Sequence, residues 1–528
     1  MKKIVASFLP NVYHYGPLLM ALGILALLLA RNPFSLRTLI PNFEPYPDSF
    51  HYVTTSRCFL QGQGWLLCRP DVQGVTPAVP PLYSAAMMPF FLIYNDPRMF
   101  YFANVTLAII SVWLLWRILT ILKLNTLIQF FILGIYVTTY YVYWLPVLAM
   151  AENTLLPLFL AAVLLFILPK SRKHLYLAAI IVPSLYGTKY AALPLMGIFW
   201  WAFVLKYITF SLNKKNVQNF FWFSLITGGL YLLYGGWQTI ATTTASTEAA
   251  GSTDSWFSYL YWPENVSIYL KALSGHPTKF LWHHQALLPS WLSGLGWLGL
   301  LIAGVQKKFS PLAWLLMTLS LGQVAVLALF YTVDARYIIT SLPSLLLGVA
   351  LCLEWLYQVR KDSIWRICWL LFVCLLGIAY LLFQVKPLRT QLALNLKYAE
   401  TPWWYISVQE LNHYFSQNSA THQPYVATLI SPYYLDFFGN HRYQPLPLWP
   451  EQDFKGHKEK VWGIPQIEAL PDTYQRLLTE GADVYLFSYG LHVYQTGDEY
   501  RQTLLERFHG RPVFTGCAGA CTLYKLSL

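Results

Sequence analysis

Glu44-Pro45-Tyr46-Pro47-Asp48-Ser49-Phe50-His51-Tyr52-Val53-Thr54-Thr55-Ser56-Arg57 is the stretch on which the fold of this chain turns. It follows the first long apolar segment. Within fourteen residues it offers two carboxylates, Glu44 and Asp48, together with His51, Tyr52 and Arg57. Elsewhere ionisable side chains are sparse, since only 11% of residues are charged, so such a cluster beside an apolar segment marks a place where chemistry is available. The proline before Asp48 predicts a helix over 49–60. On it His51 and Tyr52 stand three and four positions after Asp48, on the same face. Asp48 fits two roles. It can cap the helix, its carboxylate accepting backbone N–H bonds, or it can act as a chemical group at a membrane surface.

The surrounding sequence identifies the solvent. Hydrophobic residues make up 56% of the chain and aromatics 17%, and mean hydropathy is +0.43. Uncharged apolar runs near twenty residues recur, each long enough to cross a hydrocarbon core of roughly 30 Å as a helix. A polytopic membrane protein follows, and a soluble multidomain chain is excluded. The net charge of +12 is read through the tendency of cytoplasmic loops to collect Lys and Arg; no nucleic-acid partner is expected. After Lys2 and Lys3 no charge appears until Arg31. Leu28 stands where a small residue should precede a cleavage after Ala30, so the first segment is read as an uncleaved anchor.

Eleven spans are expected, near 12–30, 99–118, 126–146, 153–169, 174–188, 190–207, 219–240, 289–305, 310–331, 337–356 and 364–384. The apolar run 78–94 begins with two prolines between polar flanks and is expected to lie in the interface rather than cross. Charge tests the choice. With the N-terminus inside, fifteen Lys and Arg fall at the inner ends in short segments, and nine fall in the much longer outer loops before the tail. This asymmetry supports eleven spans, with the C-terminus outside. Two outer segments are long, 31–98 and 241–288. The second opens with a polar run and continues as Trp256-Phe257-Ser258-Tyr259-Leu260-Tyr261-Trp262, suited to the headgroup zone. His283 and His284 suggest a metal, but adjacent residues share no helix or strand face, and no ligand cluster has metal-site spacing.

Past Lys386 the composition turns polar, and 387–528 holds thirteen acidic side chains and no spanning run. Helices are predicted over 405–417 and 464–480, and strands over 425–430, 483–488 and 521–526. The fold class expected is an all-α polytopic membrane domain of about eleven transmembrane helices over 1–386, N-terminus inside, with a small α/β extracytoplasmic domain over 387–528. No internal repeat is visible. Cys352, Cys368 and Cys374 lie in or beside apolar runs as packing residues. Cys58 with Cys68, and Cys517 with Cys521, fall outside and are expected to form disulfides, with Gly519 permitting the tight turn of the terminal pair.

Nine of the eleven acidic residues before the tail fall on the outer side in this topology. Glu152 stands at the outer mouth of the fourth span, Lys189 at the turn between the fifth and sixth, and Asp334, Arg336 and Tyr337 at the start of the tenth. Each has a structural alternative. Lys189 can snorkel to the interface, Asp334 and Arg336 can form a structural ion pair, and Glu152 can favour its own helix N-terminus. Their convergence on one membrane surface is what an active site at the lipid–water boundary needs. A transporter would place ionisable groups near mid-membrane, often with inverted repeats, and neither is evident. A transporter or flippase of a lipid-linked glycan is the alternative, and a membrane receptor using the tail for binding is a third.

The pattern resembles the GT-C superfamily of integral-membrane glycosyltransferases, in particular the group related to protein O-mannosyltransferases and aminoarabinose transferases. Four pieces are similar to that family: Asp48-Ser-Phe-His-Tyr52 continuing to Leu60-Gln-Gly-Gln-Gly-Trp65, Pro80-Pro-Leu-Tyr83 before an apolar run, Ala151-Glu152-Asn153 opening a span, and Asp334-Ala-Arg336-Tyr337 with Pro343. The likeness covers roughly 1–350. One departure is that many members have two adjacent acids in the first loop, whereas here Asp48 is followed by Ser49. The resemblance implies a polyprenyl-phosphate sugar donor used on the outer face of a bacterial inner membrane, with inversion at the anomeric carbon and a glycan, lipid or protein as acceptor. Asp48 is then the general base that takes the acceptor's proton. Arg336, Lys189 and Arg57 are candidates to stabilise the leaving phosphate. Glu44, His51, Tyr52, Glu152, Asp334 and Tyr337 complete the substrate-binding set. No cofactor is required beyond the donor, and a divalent metal is left open.

Overall fold

The computed structural model describes residues 2–34, 48–60, 79–207, 214–243, 258–280, 283–330, 333–359, 362–396, 403–418, 423–428, 442–448, 470–488 and 497–528. The first apolar segment is α1 (Lys2–Leu28). The polar stretch after it forms α2 (Asp48–Leu60), starting one residue before the predicted position. The proline-led apolar run forms α3 (Pro81–Ile93), with Pro81 in the first turn, where no N–H partner is needed. There follow α4 (Phe100–Ile121), α5 (Thr126–Thr138), α6 (Tyr140–Trp144), α7 (Glu152–Ile167), α8 (Arg172–Thr188), α9 (Leu193–Tyr207) and α10 (Lys214–Thr243). Asn125 caps α5 by accepting the Leu127 N–H, and Ser171 caps α8 by accepting that of His174. Beyond them come α11 (Trp262–Leu273), a short antiparallel hairpin of β1 (Thr278–Phe280) and β2 (His283–Gln285), and α12 (Ser290–Val305), α13 (Ser310–Leu327), α14 (Ser341–Val359) and α15 (Ser363–Leu396).

Every segment expected to cross therefore forms helix. Among the described residues five helices are long and apolar enough to span by length and composition: Pro97–Ile121, Tyr190–Tyr207, Ser310–Leu327, Ser341–Val359 and Ser363–Ala393. The pair Thr126–Thr138 and Tyr140–Val147 makes a sixth if its 55° bend is crossed as one span. That bend interrupts what the sequence presents as one continuous run. Thr138 and Thr139 turn their hydroxyls back onto the carbonyls of Gly134 and Ile135 at 2.6 and 2.8 Å, and Tyr380 also donates to Ile135 O. Such back-bonding competes with the helical ladder, and Thr139 is extended. The chain is an integral membrane protein. α15 continues through Lys386 and Pro387 to Leu396.

The helices pack in sets: α4 on α7, α1 on α5, α8 on α10, and α12 on α14. The last contact is the closest. A Cβ placed on Gly299 would lie 1.9 Å from Gly348 O, and one on Gly348 would lie 2.2 Å from Gly296 O. Small residues let membrane helices approach backbone to backbone.

Near the C-terminus lies a five-stranded sheet in the order β4-β3-β5-β7-β6. It is built from β3 (Tyr425–Thr428), β4 (Gln444–Pro447), β5 (Val484–Phe487), β6 (Arg511–Gly516) and β7 (Cys521–Lys525). β4, β3 and β5 are parallel, and β7 and β6 add on antiparallel. α16 (Trp403–Gln417), α17 (Leu470–Thr479) and α18 (Gly497–Arg507) accompany it. Buried Val484, Leu486, Tyr474 and Leu504 form part of its core. A disulfide joins Cys517 to Cys521, Cα atoms 5.5 Å apart, at the turn into β7, where Gly519 has φ +94. The expected pairing of Cys58 with Cys68 lies outside the described residues.

Candidate functional site

α2 is fixed to α3 by a reciprocal exchange of hydroxyl bonds. Ser56 Oγ donates to Ser84 O at 2.7 Å, and Ser84 Oγ donates to Tyr52 O at 2.9 Å. The buried ring of Tyr52 meets Tyr83 edge-on at 5.0 Å. Two bonds and an aromatic contact set the height and rotation of α2 on α3. The side chains of Asp48 and His51, and all of Glu44, lie outside the described residues.

α3 links this helix to the bundle. Tyr83 Oη donates to Asn104 Oδ1 at 2.9 Å, and Asn104 Nδ2 donates to Leu148 O at 2.8 Å and to Pro146 O at 3.2 Å. Asn153 Nδ2 reaches the carbonyls of Leu145, Leu148 and Met150 at 3.0–3.1 Å. The chain between α6 and α7 is irregular and buried, so its carbonyls need side-chain donors. Sequence reasoning missed Asn104 and Asn153 in this role. The available signal was an amide within an apolar run, where a polar group is costly unless it serves a purpose. The Tyr83 hydroxyl also lies within electrostatic reach of Glu152.

Glu152 opens α7 and is 1% exposed. Its Oε1 pairs with Lys189 Nζ, from the residue that ends α8. Lys189 Nζ lies 4.5 Å from the centre of the Tyr337 ring. The Arg336 guanidinium lies 5.0 Å from the same ring and donates Nη2 to Tyr337 Oη at 3.2 Å. Asp334 is 5% exposed, caps the short 3₁₀ turn before α14 by accepting Arg336 N at 2.9 Å, and has Oδ2 3.7 Å from Arg336 Nε. Two cations thus flank one aromatic ring, with a carboxylate beside each. From α11, Tyr269 packs under this group. Burial foremost, then Tyr337 and the charge of Asp334, push its hydroxyl pKa up, so it stays protonated. Asn265 of the same helix donates to Ala328 O at 3.0 Å and to Phe330 O at 2.5 Å, tying α11 to the end of α13.

The structure therefore brings Glu152, Lys189, Asp334, Arg336 and Tyr337 into one cluster, with Tyr52 in the buttress beside it. The structural alternatives are partly realised, since Asp334 and Arg336 do pair and Asp334 does cap. Lys189 does not snorkel outward but turns onto Glu152. Arg57 has other described partners: its Nε donates to Asn95 Oδ1 at 3.3 Å, and it sits in the field of Asp96. Asp96 in turn holds Arg98 at 2.7 Å. Burial raises the Asp96 carboxyl pKa, but the Arg98 hydrogen bonds and the charges of Arg98 and Arg57 outweigh it and leave the group below its ordinary value. His283 and His284 open β2, and the His284 side chain is exposed, whereas that of His283 lies outside the described residues. Among the described residues Glu410, Cys517 and Cys521 gather within 4.8 Å. The disulfide takes both sulfurs, and Glu410 accepts the Cys517 N–H, which accounts for the grouping without a metal.

No protein-family model matches the sequence, and no curated protein matches it. Solved structures do match. The crystal structure of ArnT from Cupriavidus metallidurans bound to undecaprenyl phosphate aligns with a TM-score of 0.57 at 11% identity, over 96% of this chain and 97% of that one. The archaeal oligosaccharyltransferase AglB from Archaeoglobus fulgidus, in complex with an inhibitory peptide and a dolichol-phosphate, aligns with a TM-score of 0.54 at 12% identity, over 98% of this chain and 74% of that one. The A. fulgidus oligosaccharyltransferase in complex with Zn and sulfate gives 0.53 at 12%, over 97% and 73%. The architecture of this chain, from α1 through the C-terminal sheet, is therefore the fold that ArnT and the archaeal oligosaccharyltransferase share.

Proposed function

We propose that this chain is a GT-C-type glycosyltransferase that moves a sugar from a polyprenyl-phosphate donor to an acceptor at the outer face of a bacterial inner membrane. The observation behind it is the placing of Lys189 and Arg336 around Tyr337, in a fold whose relatives hold undecaprenyl phosphate and dolichol-phosphate. A leaving phosphate gains charge as the anomeric C–O bond breaks, and preorganised cations stabilise that charge most where water is scarce. Glu152 positions Lys189, and Asp334 positions Arg336. Tyr52 and Ser56 hold α2, and Asp48, its first residue, is assigned as the general base. The acceptor oxygen forms its bond to the anomeric carbon from the face opposite the phosphate, its proton passes to Asp48, and polyprenyl phosphate departs with the bonding electrons. Glu44 and His51 are assigned to the sugar's hydroxyls, and Arg57 to the rim of the donor site. No step is assigned to a metal.

The membrane topology belongs to the same proposal: eleven crossings with the N-terminus inside, residues 1–386 as the catalytic membrane domain, and 387–528 as an outer domain. Mass spectrometry of cell-surface glycans and lipids with and without the gene tests the activity. Loss of one sugar from one acceptor, with its polyprenyl-phosphate donor accumulating, is expected. Identical glycans and unchanged donor pools would count against it.

A further inference from the structure

A cavity of about 960 Å³ lies between the C-terminal ends of α4, α7 and α9 and the first turns of α13. Helix connectivity puts it at the end of the bundle opposite the Glu152 and Lys189 cluster. α8 returns from Arg172, near the cavity, to Thr188, beside Lys189, in 17 residues, roughly 25 Å at 1.5 Å per residue. Its walls are mostly leucine, isoleucine, phenylalanine and tryptophan, and among the described residues its lining includes Lys123, Lys170, Lys206 and Lys308 but no carboxylate. Trp201 and Trp314 line it while remaining 52% and 56% exposed, so the cavity opens sideways onto the lipid-facing surface. Lys206 is already engaged, donating to the carbonyls of Phe166 and Leu168 that close α7. Lys123, Lys170 and Lys308 are exposed, Lys308 stacking over Phe309 at 4.4 Å.

We propose that this cavity is a binding site for an anionic phospholipid, with acyl chain against the apolar wall and headgroup phosphate among Lys123, Lys170 and Lys308. Charge complementarity favours that occupant. The lysines come from three separate connections, α4 to α5, α7 to α8 and α12 to α13, and so form a broad positive rim at a membrane boundary, the arrangement that attracts anionic headgroups. An apolar slot with a basic mouth, open to the lipid phase, matches a two-part ligand of chain and phosphate. Its position at the far end of the helices sets it apart from the donor site proposed above, and it stands whether or not that proposal does.

The test uses the purified full-length protein in neutral detergent. It is titrated with dioleoyl-phosphatidylglycerol, dioleoyl-phosphatidylcholine, a polyprenyl phosphate or inorganic phosphate, and followed by native mass spectrometry and thermal midpoint. Phosphatidylglycerol should bind and raise the midpoint, and phosphatidylcholine should do neither. The triple variant Lys123→Gln, Lys170→Gln, Lys308→Gln should bind phosphatidylglycerol about 100-fold more weakly. Lys307→Gln, which removes an adjacent charge that does not line the cavity, should bind as wild type. Lys206 is left intact because it caps α7. Equal binding of the two phospholipids, or undiminished phosphatidylglycerol binding by the triple variant, would overturn the proposal. Displacement of phosphatidylglycerol by polyprenyl phosphate would reassign the cavity to the carrier lipid, and displacement by millimolar inorganic phosphate would reduce it to a free-anion site. If the triple variant does not fold, the lipid preference of the wild type and the single Lys308→Gln variant decide the matter.

Discussion

Glu152 and Lys189 stand 37 residues apart on different helices, and nothing local to either names its partner. What the sequence did show was that both are ionisable groups at the same end of apolar runs, and in a chain with few charges that was enough to place them together. Asp334-Ala335-Arg336-Tyr337 was legible directly, because capping and pairing act over two residues. The engagement of Arg57 with Asn95 and Asp96 was not, since it depends on how α2 lies against the chain after α3. Arg336 offers the sharpest test at this scale. Its planar guanidinium faces the Tyr337 ring and also donates to that tyrosine's hydroxyl, and a lysine supplies the charge without the plane or the fork. Arg336→Lys should lower transfer about tenfold, as expected from losing one charge-assisted bond of roughly 1.5 kcal/mol or more, with little change in thermal midpoint. Unchanged rate and donor affinity would leave Arg336 as a structural anchor.

Elements were legible where one physical cause dominated. The apolar runs became helices because a buried backbone in lipid has to satisfy its own hydrogen bonds. The break at Thr139 was not legible, because it depends on threonine hydroxyls and on Tyr380 arriving from α15. In the C-terminal region β3, β5 and β7 were read as strands from the sequence, whereas β4 and β6 were not. Both missed strands contain proline, in Gln444-Pro-Leu-Pro447 and Arg511-Pro512, and both lie at the edges of the sheet, where a missing N–H does no harm. α18 escaped because Gly497-Asp-Glu-Tyr-Arg is too polar to show an apolar stripe. The contact of α12 with α14 makes a quantitative prediction. Gly299→Ala would force a Cβ against the Gly348 carbonyl and should destabilise the protein by about 1–3 kcal/mol, the usual range for overpacking. Gly294→Ala, on the same helix with open space around it, is the control. Equal thermal midpoints for the two variants would show that the helices part without cost.

At the scale of the whole molecule, the two ends of the bundle differ in character. One holds the paired acids and bases around Tyr337, and the other a cavity lined, among the described residues, by lysines and no carboxylate. That polarity agrees with the excess of Lys and Arg expected at the inner ends, and it makes orientation testable. A reporter enzyme active only in the cytoplasm, fused after Leu528, should be silent, and a strong signal would mean that a crossing has been lost or invented. The overall architecture was legible because spacing, charge and the order of short motifs all pointed one way, even though relatives of this fold share only 11–12% of their residues with the chain. The identity of the sugar and of its acceptor was not, because pocket shape is set by side chains brought together from distant loops. The central claim is sugar transfer with Asp48 as base, and one substitution separates it from the capping role. Asparagine caps a helix about as well as aspartate but cannot accept the acceptor's proton. Purified wild-type protein, supplied with its polyprenyl-phosphate sugar and acceptor, should release polyprenyl phosphate, and a folded Asp48→Asn variant should do so about 10²–10⁴-fold more slowly; release by Asp48→Asn at the wild-type rate would contradict the account.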